Sequence, residues 1–373
     1  MLTTLLVVAV FGYFASLYAR GYRFNFKTYS FQPSGVLVLK SDPDGASIYI
    51  NGDLSGATNS NLNLAPGSYD VEIKKEGFTS WSKRLIIQKE EVTQVTANIF
   101  RIAPSLSPIT FDGATLPTPS SDYSKIAYVN EKGLWVMETS ILPIGFSNDP
   151  KRITDGDLTG AKFHFSPNGQ ELLLESEVGT YLLATDSFIS QSDRVNVGAR
   201  KTIIEKEWET EKKVKDTRLI NSLLPIMMAD VISNRSSDYH FSPDESMVLY
   251  SASSSASIAN DLIKQLPGSS TQKQERDIIQ GKNYIYDIKE DRNFLVGTDQ
   301  DSLYWLPTSR HLISAQEGSI TIMDYDGTNR QKVFSGGYIF PYAFPFVNSS
   351  RLLILTNLGS DSAVTNLYSL SVK

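Results

Sequence analysis

Phe165 to Leu174 reads FSPNGQELLL, and Phe241 to Tyr250 reads FSPDESMVLY. Two segments that share Phe-Ser-Pro, then a polar turn, then an apolar strand are copies of one unit, and repeats take precedence over any local motif. Looser copies start at Pro119 (PSSDYSKIAY), Trp305 (WLPTSRHLIS) and Phe346 (FVNSSRLLIL). Starts at 119, 165, 241, 305 and 346 are separated by 46, 76, 64 and 41 residues. A four-stranded propeller blade takes about 40–50 residues, so the outer intervals are plain blades and the middle two carry insertions. Each unit would form a sheet whose faces only its neighbours cover, so the units must close into a ring. Five blades are expected, with a sixth if a degenerate copy lies within the insertions. Gly133–Met137, Gly179–Leu183, Asn283–Asp287 and Ser319–Met323 follow the copies as further strands.

Phe165, Ser166 and Pro167, with Phe241, Ser242, Pro243 and Asp244, resemble the W/F-S-P-D-G core of the TolB-type, WD40-like propeller repeat. Met323-Asp324-Tyr325-Asp326-Gly327-Thr328-Asn329 is similar to that family's Asp-Gly hairpin. Thr308-Ser309 and Ser349-Ser350 depart from Asp-Gly, which bears on blade number more than on architecture.

Upstream, residues 35–102 alternate between short strands and turns. Val36 with Val38, Ile48 with Ile50, and Val71 with Ile73 show the period of two of a half-buried strand. Asp44-Gly45, Asn51-Gly52 and Pro66-Gly67 are tight-turn dipeptides. Pro43-Asp44-Gly45-Ala46, then Asn51-Gly52, then Pro66-Gly67 with Tyr69, then Gly77-Phe78 resemble the ordered motifs of a PEGA domain, with Asp44 in place of the family's Glu. The resemblance implies a small non-catalytic β-sandwich of envelope proteins, associated with surface or polysaccharide attachment. Turn and strand chemistry alone also accounts for every one of these residues.

The first eighteen residues after Met1, Leu2 to Ala19, carry no charge. As a helix they would reach about 27 Å, close to a bilayer core. A cleaved signal peptide would want a basic start and small residues before the cut, whereas Leu17 lies at −3 of the one candidate site, after Ala19. The reading is an uncleaved single-pass anchor at 1–20. Tyr18, Tyr22, Phe24 and Phe26 with Arg20, Arg23 and Lys27 form an interfacial belt in a membrane-proximal linker, 21–34. The positive-inside bias would place that side in the cytoplasm, but long domains translocate largely regardless of such charges. The expectation is a cell-membrane protein with its folded domains extracytoplasmic. The sandwich then occupies 35–102 and the propeller 103–373. The full order resembles that of membrane-anchored PEGA-propeller proteins of small-genome uncultured bacteria, which implies no particular reaction.

Composition narrows the chemistry. Among 373 residues there is no cysteine, so disulfides, thiol nucleophiles and Cys-ligated metals are absent. Three histidines, at 164, 240 and 311, exclude HExxH zinc catalysis. His164 and His240 precede the Phe of equivalent copies and read as structural repeat positions; His311 falls in a turn and reads as solvated. A net charge of −6 argues against a nucleic-acid partner. Asp324 to Asn329 has carboxylates at calcium-loop spacing but lacks the downstream glutamate, so a hairpin turn is preferred there, and Asp155-Gly156-Asp157 is read in the same way. No metal or cofactor is expected, and no phosphate loop or nucleophile elbow is present.

Residues 200–233 form the one helical insertion. Glu209 with Lys213 and Glu211 with Lys215 are favourable i,i+4 pairs. Leu219, Ile220, Leu223, Leu224, Met227, Met228, Val231 and Ile232 then make an apolar stripe broken by Pro225. The stripe either packs on the propeller or offers Leu223, Leu224, Met227 and Met228 to a partner. A second insertion, 251–282, is Ser-rich and reads as a mobile loop. The functional expectation is a non-enzymatic binding or scaffold protein meeting envelope proteins or surface polysaccharide. The alternative is a carbohydrate-active or other hydrolytic propeller that uses channel carboxylates.

Overall fold

The computed structural model describes residues 2–25, 29–140, 149–264, 272–358 and 364–373. Two compact units emerge, 1–102 with 263–273, and 103–262 with 274–373.

The first unit begins with helix α1, Leu2–Ala19. It is 18 residues and about 27 Å long. Among the described residues no helix is long and apolar enough to cross a membrane. The segment 21–34 is more than a linker: Arg23–Asn25 pairs with Ser30–Gln32 as a hairpin, and Phe31 stacks on Phe14 at 5.1 Å. Phe26 and Lys27 of the expected belt lie outside the described residues.

Residues 35–98 form two sheets. In one, Gly35–Asp42 is antiparallel to Ser60–Leu64 and parallel to Val92–Asn98. In the other, Ser47–Ile50 lies between Asp53–Ala57 and Gly67–Lys74, and Trp81–Ile87 completes the edge. Leu37, Leu39, Ile48, Ile73, Trp81 and Ile87 fill the space between them. Gly35–Asp42 thus buries Leu37 and Leu39, and the Val36/Val38 face expected to point inward is only half covered. Asn51 and Gly52, with φ of 51° and 90°, make the tight turn that two positive-φ residues allow.

Among the described residues the second unit is a five-sheet β-propeller. Its sheets run, innermost strand first, Thr115–Pro119, Lys125–Asn130, Gly133–Glu138, Lys151–Thr154; then Lys162–Phe165, Glu171–Ser176, Gly179–Ala184; then Ser236–Phe241, Met247–Ala252, Lys282–Asp287, Arg292–Thr298; then Ser302–Trp305, His311–Gln316, Ser319–Asp324, Gln331–Ser335. The fifth contains Ala343–Pro345, Arg351–Thr356 and Asn366–Ser371, and its outer strand is Ser105–Pro108 from the start of the unit. That pairing, Ser105 with Ser371 through Pro108 with Tyr368, closes the ring. Apolar side chains join neighbouring sheets: Val136 and Leu134 meet Leu172 and Leu174, Leu249 and Phe294 meet Leu312 and Met323, and Leu353 and Leu367 meet Ile126 and Met137.

Among the described residues the insertions hold no sixth blade. The first leaves the three-stranded second sheet in place of its fourth strand and builds α2, Lys201–Leu223, and α3, Ile226–Asn234, divided by Pro225 as the stripe implies. The second contains a short ladder, Ala256–Ser257 with Asp277–Ile278, and its Ile258 and Ile278 are buried. It is therefore not loop throughout, although Pro267-Gly268-Ser269-Ser270 lies outside the described residues.

The repeat motif owes its form to one turn, used five times. In each copy a side-chain oxygen accepts the backbone N–H two residues on: Asp122 from Ser124 (3.0 Å), Asn168 from Gln170 (3.0 Å), Asp244 from Ser246 (3.0 Å), Thr308 from Arg310 (3.4 Å) and Asn348 from Ser350 (3.1 Å). The serine of Phe-Ser-Pro ties the turn to the strand: Ser166 and Ser242 accept the N–H groups of Glu171 and Met247 at 3.0 Å, and Ser120 does the same for Lys125. The residue after the Asx position is left-handed in every copy, with φ of 57° at Tyr123, 67° at Gly169, 58° at Glu245, 57° at Ser309 and 56° at Ser349. This register starts the fifth copy at Pro345, one residue ahead of Phe346. Only Gly169 meets that conformation without the ~1–2 kcal/mol cost an L-residue carries. Gly169→Ala is accordingly expected to lower the propeller's stability by about 1 kcal/mol, and Glu245→Gly to raise it by a smaller amount, because glycine also loosens the unfolded chain. Thermal unfolding of the two variants checks the opposed signs.

Candidate functional site

The innermost strands of four sheets end around one cavity. Thr118 and Pro119, His164 and Phe165, Tyr239 to Phe241, and Leu303 to Trp305 line it from the propeller, and α2 lines it from the other side. Its volume is about 850 Å³. From α2 the lining residues are Glu205, Trp208, Glu209, Glu211, Lys212, Lys215, Asp216 and Leu219, which at about 100° per residue fall on one broad helical face.

Contacts at both ends and along its length hold α2 in place. Lys201 pairs with Glu175 of the second sheet at 2.5 Å, and Ile204 is buried. Trp208 meets the His164 ring edge-on at 5.6 Å, and the Tyr239 hydroxyl donates to Asp216 Oδ2 at 3.3 Å. Past the cavity, Ile220 and Leu224, with Met228, Val231 and Ile232 of α3, pack on Val248, Tyr250, Tyr284 and Tyr286 of the third sheet. The apolar half of the insertion is thus a core element, and its polar half roofs a cavity. Leu224 and Met228 are buried and offer nothing to a partner; Leu223 is half-buried, and Met227, at 40% exposure, remains accessible.

The histidines divide differently from the sequence expectation. His164 and His240 do occupy equivalent positions on inner strands, but both are exposed and line the cavity. His240 Nε2 lies 2.9 Å from Asp238 Oδ2, and its carbonyl accepts from the Trp305 indole at 3.0 Å. His311 is not solvated. It begins the second strand of the fourth sheet at 3% exposure, with Nδ1 2.9 Å from Thr308 Oγ1 and Nε2 3.3 Å from Asp324 Oδ1. Of the equivalent positions in the other copies only Met247 is buried, while Lys125 and Glu171 are half-buried and Arg351 is exposed, so the burial of His311 comes with its own contacts to Thr308 and Asp324.

Carboxylates at the cavity and in its turns serve mainly as acceptors. Burial alone would raise the Asp122 carboxyl, but hydrogen bonds from Ser120 and Ser124 outweigh it and hold the group below its usual range; Asp244 behaves likewise through Ser246 and Ser242. The hydrogen bond with His240 lowers Asp238. A general acid at neutral pH needs the opposite shift. Burial raises the Tyr123 and Tyr304 phenols, keeping both rings neutral beside the cavity.

The remaining motif residues are structural in place. Asp326 accepts from Thr328 in the hairpin after Ser319–Asp324, and Asn329 donates to Asp324 at 3.0 Å, so the calcium-like spacing serves a turn. Asp155 Oδ1 accepts the Gln191 N–H at 2.6 Å, and Asp157 accepts from Thr159. In the sandwich, Ala46 is fully buried with its N–H donating to Thr58 Oγ1 at 2.9 Å, Tyr69 donates to the Ala65 carbonyl at 2.9 Å, and Phe78 lies under Lys75 and Arg101. Gly45 and Gly77 hold φ of 69° and 77°. Pro43, Asp44, Pro66 and Gly67 complete the turns and strand starts around them.

Trp208, Tyr239, Tyr304, Glu205 and Asp216 carry the cavity's character, and none stood out in the sequence. The one available signal was the three-and-four spacing of the polar half of α2, masked there by its Glu/Lys pairs.

Residues 34–102 match the PEGA domain family. No curated protein sequence matches the chain. Among solved structures it is similar to a putative TolB from Agrobacterium tumefaciens, at 13% identity over 69% of this chain and 78% of that one, with a TM-score of 0.24. It is also similar to the Cps50 (Swd1) β-propeller domain of Myceliophteria thermophila, at 8% identity over 72% and 100%, with a TM-score of 0.28. At such scores the propeller rests on the strand pairing described above. Residues 34–102 thus match the PEGA domain family, and the strand pairing of the second unit makes, among the described residues, the five sheets of a β-propeller.

Proposed function

We propose that this protein is a non-catalytic binding or scaffold protein of the cell envelope, held at the membrane by α1 and engaging a protein or glycan partner at the cavity under α2. The observation that carries the proposal is the cavity itself, since about 850 Å³ lined by aromatic rings and charged groups lies within the range of ligand sites. The membrane part rests on α1, where Leu5, Leu6, Phe11 and Tyr13 are each 63–72% exposed. An apolar surface of that kind needs cover, which a bilayer interface supplies, and Arg23 over the Tyr18 ring at 4.1 Å suits the headgroup boundary. The sandwich and propeller would then be displayed outside the cytoplasm.

A photo-reactive residue at Lys212, which lines the cavity, is expected to capture a partner in native membranes. The same residue at Val214, 65% exposed and outside the lining, is not. Equal capture at both positions, or none at Lys212, would remove the cavity from the function. Release of the full chain by alkaline carbonate would remove the membrane attachment.

A further inference from the structure

Resting on the cavity reading above, we infer that the occupant is a basic peptide segment, an Arg- or Lys-bearing stretch of a protein partner that inserts between α2 and the inner strands. Two independent features of the lining point to a cation. The first is charge: six carboxylates line the cavity against two lysines. Lys215 stands four residues from Glu211 on α2, Lys212 acts on Asp238, and Lys201 lies 3.8 Å from Glu205, so charge of both signs is partly engaged and the lining keeps an excess of carboxylates. Glu205, Glu209 and Asp216 come from the helix, while Asp122 and Glu245 come from the turns of two blades, so the negative charge faces the cavity from opposite sides. Low-dielectric walls concentrate such a field.

The second feature is aromatic. Trp208, Tyr239 and Tyr304 line the same space, and a ring face attracts a guanidinium or ammonium within about 6 Å. Burial raises the Tyr239 phenol, and the Asp216 carboxylate raises it further, so the ring stays neutral where the cation would sit. An acidic or neutral occupant would exclude water from these carboxylates without supplying a counter-charge, which is costly. A basic segment supplies charge and donors together, and the long stems of Arg and Lys can lie on the rings.

The test is fluorescence anisotropy of labelled tetra-arginine on the full chain at low salt, beside tetra-citrulline, tetra-glutamate and a chito-oligosaccharide. Tetra-arginine is expected to bind saturably and at least tenfold more tightly than tetra-citrulline, which has the same shape without the charge. E205Q/E209Q, which leaves the Tyr239–Asp216 hydrogen bond in place, should weaken it tenfold or more without moving the melting temperature, and W208A about fivefold. E90Q/E91Q, on the sandwich, should leave it unchanged. If E90Q/E91Q acts as strongly as the cavity variants, the attraction is only the overall charge of the chain and the inference falls. If tetra-citrulline, tetra-glutamate or the oligosaccharide binds as well as tetra-arginine and is lost in W208A, the cation preference is overturned while the cavity reading stands. If nothing binds and Lys212 captures no partner, both fall.

Discussion

Truncation after Thr365 is expected to unfold the propeller while the PEGA domain keeps its fold. The missing strand, Asn366–Ser371, lies between Arg351–Thr356 and Ser105–Pro108 and is the piece through which the ring closes. Leu367, Leu370 and Val372 are fully buried. At about 1.5–3 kcal/mol for each such side chain, the loss is roughly 5–9 kcal/mol, comparable with the whole stability of an ordinary domain. Truncation also leaves two unpaired strand edges, which invite aggregation. Leu367→Ala removes less and should cost about 2–5 kcal/mol, enough to lower the melting temperature without abolishing folding. Limited proteolysis separates the outcomes: degradation beyond about residue 103 with survival of the sandwich is expected. A truncated chain that keeps a protease-resistant propeller would show that the ring does not depend on this closure.

Asp291→Ala is expected to cost about 3–5 kcal/mol, because it leaves a buried cation without its partner. Asp291 is fully buried in the turn immediately before Arg292–Thr298, the outer strand of the third sheet. Its Oδ1 accepts from Arg276 Nη1 at 2.9 Å and from the Tyr286 hydroxyl at 2.9 Å, and its Oδ2 accepts the Leu262 N–H at 2.7 Å. The Arg276 side chain is only 12% exposed, so water cannot replace the lost carboxylate. For a unit of this size the change corresponds to a melting temperature lower by about 6–20 °C. Pairing it with Arg276→Met removes the stranded charge and should recover part of the loss. Thermal unfolding by circular dichroism checks both variants. A shift below about 2 °C for Asp291→Ala would show that the site is hydrated rather than dry.

Asp291 also marks a limit of sequence reading. Within Lys289-Glu290-Asp291-Arg292 it looks like one charge of a polar hairpin, and nothing local distinguishes it from its neighbours. Arg276 lies fifteen residues earlier and Leu262 twenty-nine earlier, so the pocket that buries it exists only after the third sheet and its insertion have come together. His311 escaped for a related reason. Its place beside a turn suggested solvent, but the strand that begins with it points the ring towards Asp324 of the adjoining strand. The insertion was legible in half. Its apolar stripe and the break at Pro225 follow from helical periodicity, whereas the use of its Glu/Lys half as the roof of a cavity does not.

By itself, then, the sequence determined what local chemistry can carry. The four Asx turns and the one threonine turn of the five copies, the positive-φ pair Asn51-Gly52, the PEGA motifs and the propeller's inner repeats are each set by residues within about ten positions of one another. The tertiary structure alone decided how many sheets close the ring, that Ser105–Pro108 completes the last of them, and that α2 faces the ends of four inner strands across a cavity. Those features join residues as far apart as Ser105 and Ser371, and such contacts depend on which surfaces remain uncovered once every local element has formed.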